Sequence, residues 1–312
     1  MGIHPGMKTR ILITGATGLL GRGVLKQFRA VGDWTVLGTA WRRTGPGLER
    51  VDLTDTAGLP AVLDRLAPRV IIHAAAERRP DVSERDPAGT HRLNVESTGC
   101  LARWAADHGV FVVYLSTDYV FDGSSPPYRH DAPTHPINAY GRSKLDGERA
   151  VLEAAAASAV LRVPILYGAC ESLDESAVTI LAHNMLRARG SAAALPMEHW
   201  ATRYPTLTDD VAVVLRQMVE RHLRAGDLHG VYHWSGAEPM TKYEMALAMA
   251  PHVAFDASRL TGDANPPAGA PRPRNCHLDT ERLDRLGIGR HTPFADAIAG
   301  ILRPHVRASG PV

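Results

Sequence analysis

Short apolar runs alternate with amphipathic stretches through the first half of the chain. Ile11–Thr14, Thr35–Gly38, Val70–His73, Phe111–Leu115 and Ala159–Val163 have the length and apolar make-up of strands. Between them, apolar residues recur at helical spacing in Leu19–Ala30, Ala57–Leu66, Asn94–His108 and Ala139–Ala156. Strands that alternate with helices predict a parallel sheet covered on both faces, joined by right-handed crossovers. Continuous runs such as Val70-Ile71-Ile72 fit strands buried on both sides.

The pattern changes after Val163. Proline and glycine become frequent, most of all in Gly262–Arg274, which reads as a loop. Helices are predicted at Ser176–Ala188, Asp209–Arg224, Thr241–Ala250 and Pro293–Leu302. The expected architecture is α/β: a Rossmann-like, doubly wound parallel sheet with a smaller mixed C-terminal lobe. The sheet domain is expected over residues 10–165, after a disordered leader at residues 1–9. The lobe, residues 166–312, would supply substrate contacts beside the carboxyl ends of the strands, where open α/β folds bind ligands. Chain crossings between the two are expected, so the boundary is soft.

Composition narrows the function class. With 312 residues the chain can bury a sizeable core, and a net charge of +2 gives no case for nucleic-acid or membrane-surface binding. No apolar run approaches the length of a bilayer span, and the first residues lack a secretory h-region. Three widely spaced cysteines, Cys100, Cys170 and Cys276, fit a reducing cytoplasm rather than a disulfide scaffold. His130 with His135, or His229 with His233, lacks a third ligand at a familiar zinc spacing, so no metal is expected.

Two motifs carry chemistry. Gly15, Gly18 and Gly21 are spaced three apart between the first strand and the first helix, with Thr17, Leu19 and Leu20 among them. Gly15 permits a tight turn, Gly18 a close approach of backbone to pyrophosphate, and Gly21 close packing of helix on sheet. The second is Tyr140-x-x-x-Lys144, whose members share a helix face. A cation near a phenol favours phenolate, which would let Tyr140 exchange a proton with a carbonyl while a nicotinamide exchanges hydride. In a helix the same spacing also arises as a solvated pair. Thr117, at the end of the fourth major strand, has a hydroxyl able to orient a carbonyl, or simply to cap a turn.

Cofactor choice is written at the end of the second strand. No carboxylate stands there to bind a ribose 2′-OH; Arg42 and Arg43 do, and guanidinium forks match a 2′-phosphate. NADP(H) is therefore expected, the alternative being two solvated loop arginines. Arg78, Arg79, Arg203, Arg272 and Arg274 are further basic candidates, of which Arg203 and Arg272 are favoured for substrate. Trp200 and Trp234 could stack on a base or sugar, though Trp234 fits core packing equally well.

Together Gly15-x-x-Gly18-x-x-Gly21, Ser116-Thr-Asp-Tyr-Val-Phe121 and Tyr140-x-x-x-Lys144 resemble the extended short-chain dehydrogenases, nearest the dTDP-4-dehydrorhamnose reductase family. His73-Ala-Ala-Ala, Asn94-Val95, Pro164-Ile-Leu-Tyr-Gly and Arg272-Pro-Arg-Asn-x-x-Leu-Asp279 extend the likeness. Other stretches, among them Ala75-Ala-Glu-Arg-Arg-Pro-Asp-Val, His233-Trp-Ser-Gly and Met240-Thr-Lys-Tyr-Glu-Met-Ala, resemble the regulatory β subunits of methionine adenosyltransferase within that branch. The resemblance spans about residues 10 to 303. It implies an NADPH-dependent reductase of a ketone on a sugar-like, nucleotide-linked substrate, with Thr117, Tyr140 and Lys144 catalytic. It further implies cofactor contacts from Asp52, Leu53, Ala74, Ala75, Ala76, Asn94, Pro164 and Ile165, and substrate contacts from Asp118 and Tyr119. The alternatives it carries are a non-catalytic NADP-binding partner of another enzyme, and a nucleotide-sugar epimerase; a homodimer also fits. Where the reductases usually carry Asp-Gln before x-x-x-Pro-Thr, this chain has Trp200-Ala201 before Thr202-Arg-Tyr-Pro-Thr206, which implies a shifted substrate.

Overall fold

The computed structural model describes residues 8–43, 45–154 and 157–308. Residues 1–7 of the expected leader and 155–156 of the expected fourth helix lie outside the described residues, and Thr9 already belongs to the first strand.

Eleven strands are described: β1 Thr9–Thr14, β2 Trp34–Ala40, β3 Leu48–Arg50, β4 Val70–His73, β5 Phe111–Thr117, β6 Ser158–Val163, β7 Leu166–Tyr167, β8 Leu195–Glu198, β9 Thr206–Leu207, β10 Gly230–His233 and β11 Leu260–Asp263. The helices are α1 Leu19–Arg29, α2 Leu59–Leu66, α3 Pro80–Arg85, α4 Pro87–His91, α5 Ser97–Asp107, α6 Ala139–Ala154, α7 Thr179–Arg187, α8 Thr208–Ala225, α9 Lys242–Met249, α10 Glu281–Asp284 and α11 Phe294–Ala308.

Seven strands form one wholly parallel sheet in the order β10-β6-β5-β4-β1-β2-β3. The order reverses between β1 and β4, the switch point at which open α/β sheets leave a crevice beyond the strand ends. The pleat divides the core in two. Ile11, Ile13, Val70, Ile72, Phe111 and Val113 pack with Val24 and Phe28 of α1 and with Val211, Val214, Leu215 and Met218 of α8. Leu12, Ile71, Val112, Tyr114 and Val160 face the other way, onto Leu63 of α2, Leu101 and Trp104 of α5, and Val151 of α6. The central strands β1, β4 and β5 thus alternate between two apolar layers, which is why their sequences read as continuous runs.

The C-terminal half returns to the sheet. β10 adds the strand beyond β6, and α8 lies on α1. The remainder builds a separate core from Tyr167, Met185, Met197, Met245, Met249, Phe255, Phe294 and Ile298, flanked by the small parallel pairs β8–β11 and β7–β9. Residues 270–276 strap the two parts together. Asn138 donates to the Pro271 carbonyl at 2.8 Å, Asp81 accepts from the Ala270 N–H at 2.9 Å, and the Cys276 thiol reaches the Phe121 carbonyl at 3.6 Å. Among the described residues, no helix is long and apolar enough to cross a membrane.

Candidate active site

A cleft of about 700 Å³ opens at the carboxyl ends of β1, β4, β5 and β6. Its floor is the glycine turn. Gly15 has φ +65°, and a Cβ there would stand 2.9 Å from the Ala75 backbone. A Cβ on Gly21 would come within 2.1 Å of the Gly15 carbonyl oxygen, so helix and turn touch backbone to backbone. No side chain caps α1 at Gly18, which leaves its first N–H groups to the cleft beside Thr17, Leu19 and Leu20. Such a terminus is suited to a pyrophosphate.

The rest of the lining comes from strand ends, from α6 and from the C-terminal segments around Arg203 and Arg272. Asp52 and Leu53, Ala74 to Ala76, Thr117 to Tyr119, Tyr140, Lys144, Pro164, Ile165, Arg203 and Arg272 all border the cleft. The wall after β4 is fixed by Thr14, whose hydroxyl accepts from the Ala74 and Ala75 N–H groups at 3.2 Å each and meets His73 Nδ1 at 2.7 Å. The other His73 nitrogen meets Thr98 at 2.9 Å, and burial pushes the ring down to about 3, so it stays neutral.

The proposed acid–base group comes from two elements. β5 ends in Thr117, whose hydroxyl accepts from the Tyr119 N–H at 3.2 Å and lies 3.1 Å from an Asp118 carboxylate oxygen. The Tyr140 phenol, presented from the first turn of α6, lines the same cleft. Burial raises Tyr140 well above the usual phenol value, with Thr117 and Arg78 pulling the other way. This departs from the expected tuning by Lys144. The Lys144 ammonium instead lies 4.0 Å from the centre of the Tyr114 ring, and burial pushes it down to about 7 against the pull of Glu148. The same burial lifts Asp118 to about 7, although Arg203 and Thr117 favour its ionised form.

Asn94, Arg42, Arg43, Trp200 and Trp234 do not line the cleft. Asn94 sits in a π-helical turn over Arg92–Glu96 with its amide committed: it donates to the Glu77 carbonyl and to Ser143, each at 3.0 Å, and accepts from the Glu77 N–H at 2.8 Å. It therefore ties the wall after β4 to the residue before Lys144. Arg42 is exposed beyond the rim, and Arg43 reaches across to Glu171 at 2.5 Å. Trp200 lies behind Glu198, which accepts its backbone N–H at 2.9 Å. Trp234 is a core residue, 1% exposed and stacked on His291.

Trp41 and Lys242 also line the cleft without having been expected there, and Arg78, one of the basic candidates, lines it too. Trp41 stands half exposed at the rim. Arg78 donates to the Glu175 carbonyl at 2.7 Å, and Glu175 also pairs with Arg22 at 2.5 Å, so the segment before α7 is drawn over the glycine turn. Lys242 enters from the start of α9. Trp41 had a visible signal, an aromatic directly after a strand end; Lys242 reads as an ordinary helix-start lysine.

Residues 9–306 match the family model described as the RmlD substrate binding domain. Among relatives, methionine adenosyltransferase 2 subunit beta of Xenopus tropicalis is 49% identical over 95% of this chain and 87% of its own length. The dTDP-4-dehydrorhamnose reductase of Aggregatibacter actinomycetemcomitans is 30% identical over 88% and 92%. Among solved structures, dTDP-4-dehydrorhamnose reductase of Bacillus anthracis in complex with NADP superposes with a TM-score of 0.81 at 23% identity, over 96% of this chain and all of that one. UDP-glucose 4-epimerase of Thermus thermophilus with NAD gives 0.79 at 22%, over 95% and 99%.

Proposed function

The chain belongs to the RmlD substrate-binding-domain family, and from that premise we propose that it is an NADPH-dependent reductase of a ketone on a sugar-like, nucleotide-linked substrate. The observation that carries this reading is the meeting of Thr117, Tyr140 and Lys144 in one cleft with the uncapped start of α1. The glycine turn and the α1 N–H groups fit a dinucleotide pyrophosphate, Asp52 and Leu53 its adenine end, and Arg42 and Arg43 a 2′-phosphate at the rim. Bound there, NADPH supplies the hydride.

The protein's own part is to hold the ketone and provide a proton. Thr117 donates a hydrogen bond to the carbonyl oxygen and fixes its approach. Tyr140, kept protonated by its burial, passes the phenolic proton to that oxygen as alkoxide charge develops. Thr117 and Arg78, which favour the phenolate, stabilise the group after transfer. Lys144 holds the ribose next to the nicotinamide and adds positive charge to the same corner. Leu115, Val163 and Ile165 exclude water from the carbonyl.

A second reading has its own support. Relatives named methionine adenosyltransferase 2 subunit beta reach 49% identity, well above the 30% of the Aggregatibacter actinomycetemcomitans reductase. In this reading the cleft senses NADP(H) and the chain acts on a partner enzyme. One experiment separates the two: NADPH is supplied with a panel of keto-sugars, nucleotide-linked and free, and loss of nicotinamide absorbance is followed. Turnover supports the reductase. Silence throughout, with tight co-purification of a methionine adenosyltransferase, supports the regulator.

A further inference from the structure

Lys144 is the buried cation of the cleft. It is 3% exposed, and among the described residues it makes no hydrogen bond or ion pair. Glu148, one turn further along α6, has the spacing of a natural partner. Both Glu148 oxygens are instead engaged by Arg162, at 2.9 and 2.7 Å, so the carboxylate acts on Lys144 only from a distance. What the ammonium does meet is the face of Tyr114, 4.0 Å from the ring centre.

The ring is held as firmly as the cation. Tyr114 is fully buried on β5, packed with Leu101 of α5 and Val151 of α6, and the His73 ring lies against it with centres 5.7 Å apart. Gly147 makes room for it: a Cβ there would stand 2.2 Å from the Tyr114 hydroxyl oxygen. Gly147 follows Lys144 by three residues, so the notch and the ammonium share a helix face. The Tyr114 hydroxyl makes no hydrogen bond among the described residues, which leaves the ring face as the working part. A ring face attracts an ammonium through its quadrupole and claims no particular N–H. A carboxylate in its place would take a donor and pin the nitrogen to the protein.

We propose that Tyr114 is a positioning residue for the reaction: its ring face seats the Lys144 ammonium at the cleft wall and leaves the N–H groups to the cofactor. Tyr114 does not itself line the cleft, so it acts through Lys144 alone. The proposal rests on the role given above to Lys144 in holding the ribose.

The test is a calorimetric titration of the full chain with NADPH between about pH 6 and 9. Affinity should fall as pH rises through the Lys144 value, which burial holds at about 7, because the ammonium is the form that attracts the cofactor. Tyr114→Leu should weaken NADPH about tenfold near neutral pH and move that fall to lower pH by about half a unit to one unit, since losing the ring face disfavours the charged form. Tyr114→Phe should restore both. A fluorinated phenylalanine at position 114 keeps the shape but withdraws negative charge from the ring face, and should reproduce the loss. It serves where Tyr114→Leu fails to fold, which circular dichroism checks.

Other groups border this corner. His73 on β4 stays neutral, Tyr140 stays protonated, Glu148 remains paired with Arg162, and Asp118 titrates in the same range. The Lys144→Met background separates them: there Tyr114→Leu should weaken NADPH no further. Equal losses with and without Lys144, or a pH profile unmoved by the fluorinated ring, would assign Tyr114 to packing alone and overturn the proposal. The titration needs no turnover. A chain that shows this coupling but reduces no ketone would defeat the reductase reading and leave the seat standing.

Discussion

The Ser116 hydroxyl donates to Glu148 Oε1 across 2.5 Å, joining the residue before Thr117 to the residue one helical turn beyond Lys144. Arg162 closes the arrangement from β6, with Nε 2.9 Å from Oε1 and Nη2 2.7 Å from Oε2. All three side chains are buried. One carboxylate thereby sets the register of α6 against β5, and with it the approach of Tyr140 to Thr117. Glu148→Gln should destabilise the protein by about 3–5 kcal/mol, because it leaves a buried guanidinium without its counter-charge. Glu148→Leu combined with Arg162→Met should cost clearly less than the sum of the two single changes. Denaturant unfolding measures both; strict additivity would show that the pair does not act as a unit.

Two buried groups should bend the pH dependence of stability in opposite senses. Asp118 is raised from its ordinary 3.8 to about 7, so the native state holds the extra proton between those values and stability falls as pH rises through them. Lys144 is lowered from 10.5 to about 7, so the unfolded state holds the extra proton above pH 7 and stability recovers toward pH 10. Each slope is at most about 1.4 kcal/mol per pH unit. Asp118→Asn should flatten the acid limb and Lys144→Met the alkaline limb, as read from urea midpoints across pH. Limbs that persist in both variants would assign them to other groups.

The rim arginines make a prediction about cofactor choice. Arg43 is engaged by Glu171, so a 2′-phosphate must share or displace that carboxylate. Glu171→Gln should tighten NADPH while leaving NADH unchanged, and Arg42→Ala with Arg43→Ala should narrow the gap between them. Calorimetry of both cofactors checks this. Equal affinities in the unaltered protein would remove the basis for NADP selection.

At the glycine turn, Gly21→Ala should cost at least about 1–3 kcal/mol and weaken NADPH together with NADH, since the added methyl meets the Gly15 carbonyl. Gly32→Ala, in open space, is the control and should be silent. Thermal melts with and without cofactor compare them.

The legible parts were those in which local pattern and tertiary role coincide. Val70–His73 is buried throughout and reads as a strand without context. Strand β10 did not, because Gly230–His233 begins with a glycine and only its last two residues are buried. Its histidine is buried with Arg162 3.3 Å away, a partner 71 residues distant in sequence. The site divides in the same way. The glycine turn and Tyr140-x-x-x-Lys144 are local geometry and show in sequence. Asn94 carries a recognisable motif, but its amide is spent inside the wall. Lys242 reaches the cleft only through the pairing of Arg203 with Met240, which no local pattern announces.

The central claim is that Tyr140 supplies the proton for carbonyl reduction. Its most direct test is Tyr140→Phe, assayed on whichever keto-sugar of the panel the unaltered chain reduces, beside a calorimetric titration with NADPH. The ring is kept and the transferable proton removed. Turnover should therefore fall by at least about a hundredfold while NADPH affinity stays within a few-fold. Turnover that survives in Tyr140→Phe would contradict the account.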